Sequence, residues 1–165
     1  MLKGHLALCA VLATATAFAA GQPAVQVETS HLEAPRTMNE QTRSAAIRDY
    51  LESWQAMRDA LAQNRAELLD ADFIGAAKDR LANAIREQSA LGITTRYEER
   101  SHNIRLLFYS PEGLSIELED TADYDLAVLD HGATLTTSPQ HTRYIVLLTP
   151  SEVRWRVRIL QASPD

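Results

Sequence analysis

Three residues of this chain carry a pattern able to do acid–base chemistry: Asp120, His102 and Tyr97. Leu114, Ile116 and Leu118 alternate with Ser115, Glu117 and Glu119, and the same phase runs on through Ala122, Tyr124, Leu126 and Val128. Counted by twos, Asp120 falls on the apolar face. A carboxylate there is taken out of water, as a general base in an apolar pocket must be. A bulge at Glu119–Thr121 is the alternative, because it would break the phase and swing Asp120 outward. His102 shares the phase of Ile104, Leu106 and Phe108, so it is placed to meet Asp120 and Tyr97 in one cavity; a strand-end position in solvent is the bland alternative.

Other polar residues form weaker patterns. His131 and His141, with Asp130 nearby, flank one polar stretch, but their spacing matches no zinc motif, and no metal site is expected. Arg154, Arg156 and Arg158 alternate along the last apolar run, and Arg143 and Arg105 extend the row. It reads either as a surface for an anionic partner or as cross-strand partners of Glu117, Glu119, Asp123 and Asp125. Trp54 and Trp155 read as core anchors. If the fold encloses a small ligand, Trp54, Tyr124 and Trp155 are the aromatics expected to touch it. No nucleophile elbow, phosphate loop or cofactor fingerprint occurs, so no cofactor is expected.

The elements that must position these residues follow from periodicity. Ile47, Tyr50, Leu51, Trp54, Met57 and Leu61 recur at three- and four-residue spacing and predict a helix from about Ser44. A short helical turn at Arg65–Leu69 follows, with Asn64 as its N-cap. The spacing of Phe73, Ala77, Leu81, Ala84, Ile85 and Gln88 predicts a further helix over 72–90, stopped by Gly92. Beyond Gly92 the period falls to two. Strands are predicted around Ile104–Tyr109, Leu114–Val128, Tyr144–Leu148 and Val153–Ile159, with turns at Ser110–Gly113 and Thr149–Glu152 and a polar loop from His131 to about Gln140. Helices first and strands last predict an α+β fold: N-terminal helices packed on one face of a curved, cone-like antiparallel sheet of about four strands.

The start of the chain reads differently. Lys3 precedes an apolar run from Leu6 to Ala20, and Ala17-Phe18-Ala19 supplies small residues where a signal peptidase needs them. The run is short for a membrane span. Residues 1–19 are therefore expected to be a cleaved signal peptide, 20–40 a flexible linker and 41–163 a single domain, periplasmic or secreted, with no membrane span after cleavage. Retention of the segment as an anchor is the alternative. Cleavage removes Lys3 and no acid, taking the formal charge from −6 to −7. It also removes Cys9, the one cysteine, so the domain must hold by its core alone. The acidity and the two lysines of the whole chain argue against nucleic-acid binding.

The helix sequence Tyr50-Leu51-Glu52-Ser53-Trp54-Gln55, the run Leu114 to Asp120, the strand Tyr144–Leu148 and the closing Trp155-Arg156-Val157-Arg158-Ile159 resemble the nuclear transport factor 2-like, or cystatin-like, superfamily, and within it the IMS-type and related extracytoplasmic domains. The resemblance implies a cone whose mouth often holds a small molecule, with both enzymes and binding modules among its members; the hairpin that many members insert between the helices has no counterpart here. The leading expectation is an exported, non-catalytic module that binds a small apolar ligand or an envelope protein. Alternatives are a small hydrolase or isomerase using Asp120 with His102 or Tyr97, and a scaffold or assembly subunit of an envelope complex. Superfamily members often dimerise through the sheet, and Ile145 and Leu147 lie on its outer face, so a homodimer is expected there.

Overall fold

A computed structural model describes residues 21–28 and 37–163. The segment expected as a signal peptide lies outside the described residues. The first helix, α1 (Glu40–Gln63), starts where the Asn39 side chain accepts the Thr42 backbone N–H at 2.8 Å. Its buried stripe includes Tyr50, Trp54, Met57 and Leu61. Asn64 closes this helix instead of opening the next. It adopts the left-handed conformation (φ 54) that asparagine tolerates, and its amide donates to the Ile93 carbonyl at 2.9 Å. A 3-10 turn at Ala66–Leu69 leads to α2 (Gly75–Ala90). This helix begins three residues later than its periodicity suggests, because Phe73 forms a bridge with Val157: the Val157 N–H donates to the Asp72 carbonyl at 2.8 Å, and the Ile74 N–H to the Val157 carbonyl at 2.9 Å.

Five strands follow one another across a single sheet: β1 (Ala24–Glu28), β2 (Ile93–Tyr109), β3 (Ile116–Asp130), β4 (Ala133–Pro150) and β5 (Trp155–Ser163). The last four pair antiparallel in chain order. Three of these elements differ from expectation. The strand expected around Ile104–Tyr109 is the second part of β2, which begins at Ile93. Residues 133–140, read as a polar loop, are the first half of β4 and pair with β3 from Tyr124 to Asp130. Both faces there are largely exposed, so the strand shows no apolar alternation. The turn that makes it possible is His131-Gly132, with φ of 47 and 83. Positive φ at both central residues defines the two-residue hairpin turn whose twist matches paired strands. Within the segment expected as a linker, Ala24–Glu28 adds β1 in parallel to β2.

The core lies between α1 and the inner sheet face. Trp54, Tyr50, Phe73, Ile104, Leu106, Ile116, Leu118, Val146 and Leu148 are all fully buried there. Burial of each such side chain contributes about 1.5–3 kcal/mol. The fold is thus α+β, with two helices on one face of a mixed sheet.

Candidate functional site

The buried carboxylate predicted from strand phase is present. Asp120 sits on the inner face of β3 with no solvent exposure, paired to Ile104 on one side and Tyr144 on the other, and no bulge displaces it. One of its oxygens, Oδ2, takes two short contacts. His102 Nδ1 lies 2.7 Å away, and the Tyr50 hydroxyl donates at 2.7 Å. The other oxygen, Oδ1, is buried and accepts nothing. His102 Nε2 meets Glu99 Oε2 at 3.4 Å, and Arg58 Nε meets Glu99 Oε1 at 3.0 Å. Charges therefore alternate along a chain of side chains: Arg58, Glu99, His102, Asp120, ending on the Tyr50 hydroxyl.

Two of these groups, Tyr50 and Arg58, come from one helix stripe together with Trp54. Tyr50, Trp54 and Arg58 are four residues apart and face the same way. Trp54 is the packing centre. Its ring meets His102 edge-on at 4.8 Å and stands 5.6, 5.9 and 6.4 Å from Tyr144, Tyr124 and Tyr97. The Tyr124 and Tyr144 hydroxyls are 2.8 Å apart. Trp54 Nε1 is buried without a regular hydrogen bond, although it lies close enough to Tyr50 to favour that phenolate slightly.

Electrostatics fixes the protonation of the network. Burial works against a charged imidazole, but the carboxylates of Asp120 and Glu99 outweigh it and push His102 up to about 9. At neutral pH the ring is protonated and both its N–H groups donate. Burial and the Asp120 charge hold Tyr50 well above the ordinary phenol range, and burial pushes Tyr97 up to about 12. An imidazolium accepts no proton, so His102 is not poised as a general base. Neither the His102 nor the Asp120 side chain has any exposed surface, and Trp54 covers the histidine. The arrangement pins α1 to β2 and β3 in one register. Of the three expected acid–base residues, the structure joins His102 and Asp120; Tyr97 stacks with Trp54 and Tyr124 instead.

The remaining candidates separate. Tyr124 is in the core beside Trp54. Trp155 is half-buried against it, with its backbone N–H donating to buried Asp49 at 2.8 Å. The arginines of β5 do not face the acids of β3, because β4 lies between those strands. Arg154 pairs with Asp72 and Glu52, and Arg156 donates to the Asp70 and Phe73 carbonyls at 2.6 and 3.0 Å. Arg158 passes over Gly75. Arg154 and Arg156 thus tie the start of β5 to the chain before α2, and the three do not form one open basic row. Arg143 donates to Ser163 at 3.2 Å, and Arg105 alone of the set meets Glu119, at 2.9 Å. His131 and His141 pair separately with Asp130 and Asp123. Among the described residues no three His, Cys, Asp or Glu side chains are arranged so that they could hold a metal ion.

Sequence reasoning missed a large concavity. A groove of about 870 Å³ runs between α1 and β1, with Val25, Val27, Ile47 and Leu51 as its apolar surface and Arg58 and Glu99 at one wall. Only the Val25–Val27 alternation signalled it.

No protein-family model matches this chain, and no curated protein does. Solved structures do. The intermembrane space region of the chloroplast protein ARC6 overlays with a TM-score of 0.64 at 14% identity, covering 79% of this chain and 100% of that one. A candidate scytalone dehydratase from Novosphingobium aromaticivorans gives 0.51 at 12%, over 76% and 89%. Aln2 from a Streptomyces species gives 0.50 at 13%, over 78% and 93%. At such identities the likeness establishes the fold alone: helices packed on one face of a sheet.

Proposed function

We propose that this domain is an exported, non-catalytic interaction module that receives a partner polypeptide in the groove between α1 and β1. The groove carries the reading: it is an open concavity of about 870 Å³, apolar along Val25, Val27, Ile47 and Leu51. Beside it runs β1, a sheet edge whose outer backbone groups have no strand partner among the described residues and whose five residues are all exposed. An extended segment can add to such an edge while placing alternate side chains in the adjoining groove. The likeness to a region of an intermembrane space agrees with an extracytoplasmic setting, and among the described residues no helix is long and apolar enough to cross a membrane. Against catalysis stands the burial of His102 and Asp120, whose side chains have no exposed surface for a substrate to reach.

Photo-crosslinking in cells tests this. A photoreactive residue replaces Leu51 in the groove or, as a control, Asp79 on the exposed face of α2. A discrete protein adduct at 51 and none at 79 is expected. No adduct at 51 in the presence of a bound small molecule, seen as extra mass in a native spectrum lost on denaturation, would replace the partner protein with a small apolar ligand.

A further inference from the structure

The groove between α1 and β1 carries a surplus of hydrogen-bond donors at a definite spacing. Arg43, Ile47, Leu51, Gln55 and Arg58 all line it and follow one another along α1 at steps of four, four, four and three residues. They form one ridge, with an arginine at each end and two aliphatic side chains between. Three carboxylates line the same groove, and each is already engaged. Glu40 accepts from the Ser44 hydroxyl at 3.2 Å, Glu52 pairs with Arg154 at 3.5 Å, and Glu99 lies between Arg58 and His102. A third arginine, Arg48, is held on buried Asp49 at 2.7 Å. Arg43 and Arg58 keep spare donors. Arg43 stays 3.8 Å from Glu40, outside hydrogen-bond distance. Arg58 approaches Glu99 through Nε, and its two terminal nitrogens hydrogen-bond to nothing among the described residues.

The pitch of the ridge matches that of an extended chain. Four residues of helix advance about 6 Å, and two residues of strand advance about 6.6 Å. Successive same-face side chains of a strand laid along β1 therefore fall on successive ridge residues. Arg43 and Arg58 are about 22 Å apart along the helix axis. Long helical side chains lean toward the helix N-terminus, which brings the end of Arg58 back over the turn of Gln55. Six strand residues span about 20 Å, and an even spacing keeps both end residues on the face that carries the apolar ones.

We propose that the groove selects an extended segment of the pattern acid-x-aliphatic-x-aliphatic-x-acid. The aliphatic pair packs on Ile47 and Leu51 beside Val25 and Val27. One carboxylate accepts from Arg43 and the other from Arg58, as charge-assisted bonds. This rests on the reading of the groove as a strand-receiving site and adds what that strand must carry.

The test is an amide-shift titration of the purified protein with capped heptapeptides. Glu-Thr-Val-Thr-Val-Thr-Glu carries the pattern. Two others replace both Glu residues by Gln or by Lys, and a fourth, Glu-Val-Thr-Val-Thr-Val-Glu, puts its valines on the face opposite the acids. Saturable shifts at Val25, Val27, Ile47 and Leu51 are expected with the first peptide, with affinity about tenfold above the Gln and out-of-phase peptides, and none with the Lys peptide. Arg43→Gln, which lies outside the buried His102 network, is expected to remove most of the preference for Glu over Gln, and Arg58→Gln to do the same. Arg86→Gln, which takes the same charge from an exposed position on α2, is expected to leave the preference unchanged. Equal binding of the Glu and Gln peptides, or equal loss in Arg43→Gln and Arg86→Gln, overturns the acid selectivity and leaves the groove reading standing. Saturation by none of the peptides also overturns the proposal, and the crosslink at position 51 then decides the groove reading separately.

Discussion

The pKa of His102 makes the buried network measurable. Its ordinary value is 6.5, and the fold pushes it up to about 9. A group raised on folding binds its proton more tightly in the native state. Its contribution is complete below the unfolded pKa and disappears as pH rises through the folded one. At about 1.4 kcal/mol per unit, the gap corresponds to about 3 kcal/mol. Urea unfolding followed by tryptophan fluorescence should therefore show stability falling by about that amount between pH 6.5 and 9.5. His102→Gln keeps a hydrogen bond to Asp120 within reach but cannot titrate. Its stability should sit below the native protein at pH 6 and vary little across the same window. An unchanged slope in His102→Gln would assign the pH dependence elsewhere. A flat profile in the native protein would refute the claim that the ring is an imidazolium held between two carboxylates.

Three further outcomes follow from the same structure. Tyr50→Phe removes one of the two contacts of Asp120 Oδ2 and should cost about 1–3 kcal/mol in urea unfolding, since Oδ1 has no partner to compensate. Gly132→Val puts a branched side chain at φ 83 in a two-residue turn; a loss of about 1–2 kcal/mol is expected, and an unchanged melting temperature would mean that the hairpin adjusts freely. The outer sheet face carries Ile145 and Leu147 beside Arg143, and the homodimer proposed there should appear in sedimentation at tens of micromolar and be abolished by Leu147→Asp. A native protein that stays monomeric at high micromolar concentration removes the dimer.

The buried carboxylate was legible because β3 keeps strict alternation from Ile116 to Tyr124, so counting by twos places Asp120 correctly. The partners were legible only where phase survives. His102 shares the phase of Ile104, but Glu99 is out of step with both. A register shift between Glu99 and Ser101 turns Glu99 inward beside the histidine, and a bulge of this kind leaves no mark in a hydrophobic pattern. A second shift, between Leu147 and Leu148 of β4, changes the phase of β5: Val157 is buried, but Ile159, expected inside, is 38% exposed, while Leu160 packs on the core. Tyr50 was readable as core, yet its contact with a residue 70 positions on depends on the way α1 crosses the sheet. The polar half of β4 and the five residues of β1 could not be read because neither is buried on a face long enough to write a period of two.

The place of β1 has a kinetic consequence. Among the described residues it pairs only with β2, and Ala24 meets Ser101 from 77 positions away. The four longer strands form from neighbours in sequence, each closing a short turn, whereas β1 must close a loop spanning both helices to gain one exposed five-residue ladder. Loop closure of that length is unfavourable before the rest of the sheet exists to reward it. This strand is therefore the last to join during folding and the first to leave in the native state. Its amides should exchange with solvent through local opening, at protection well below that of β3, in a protein whose remaining sheet stays closed.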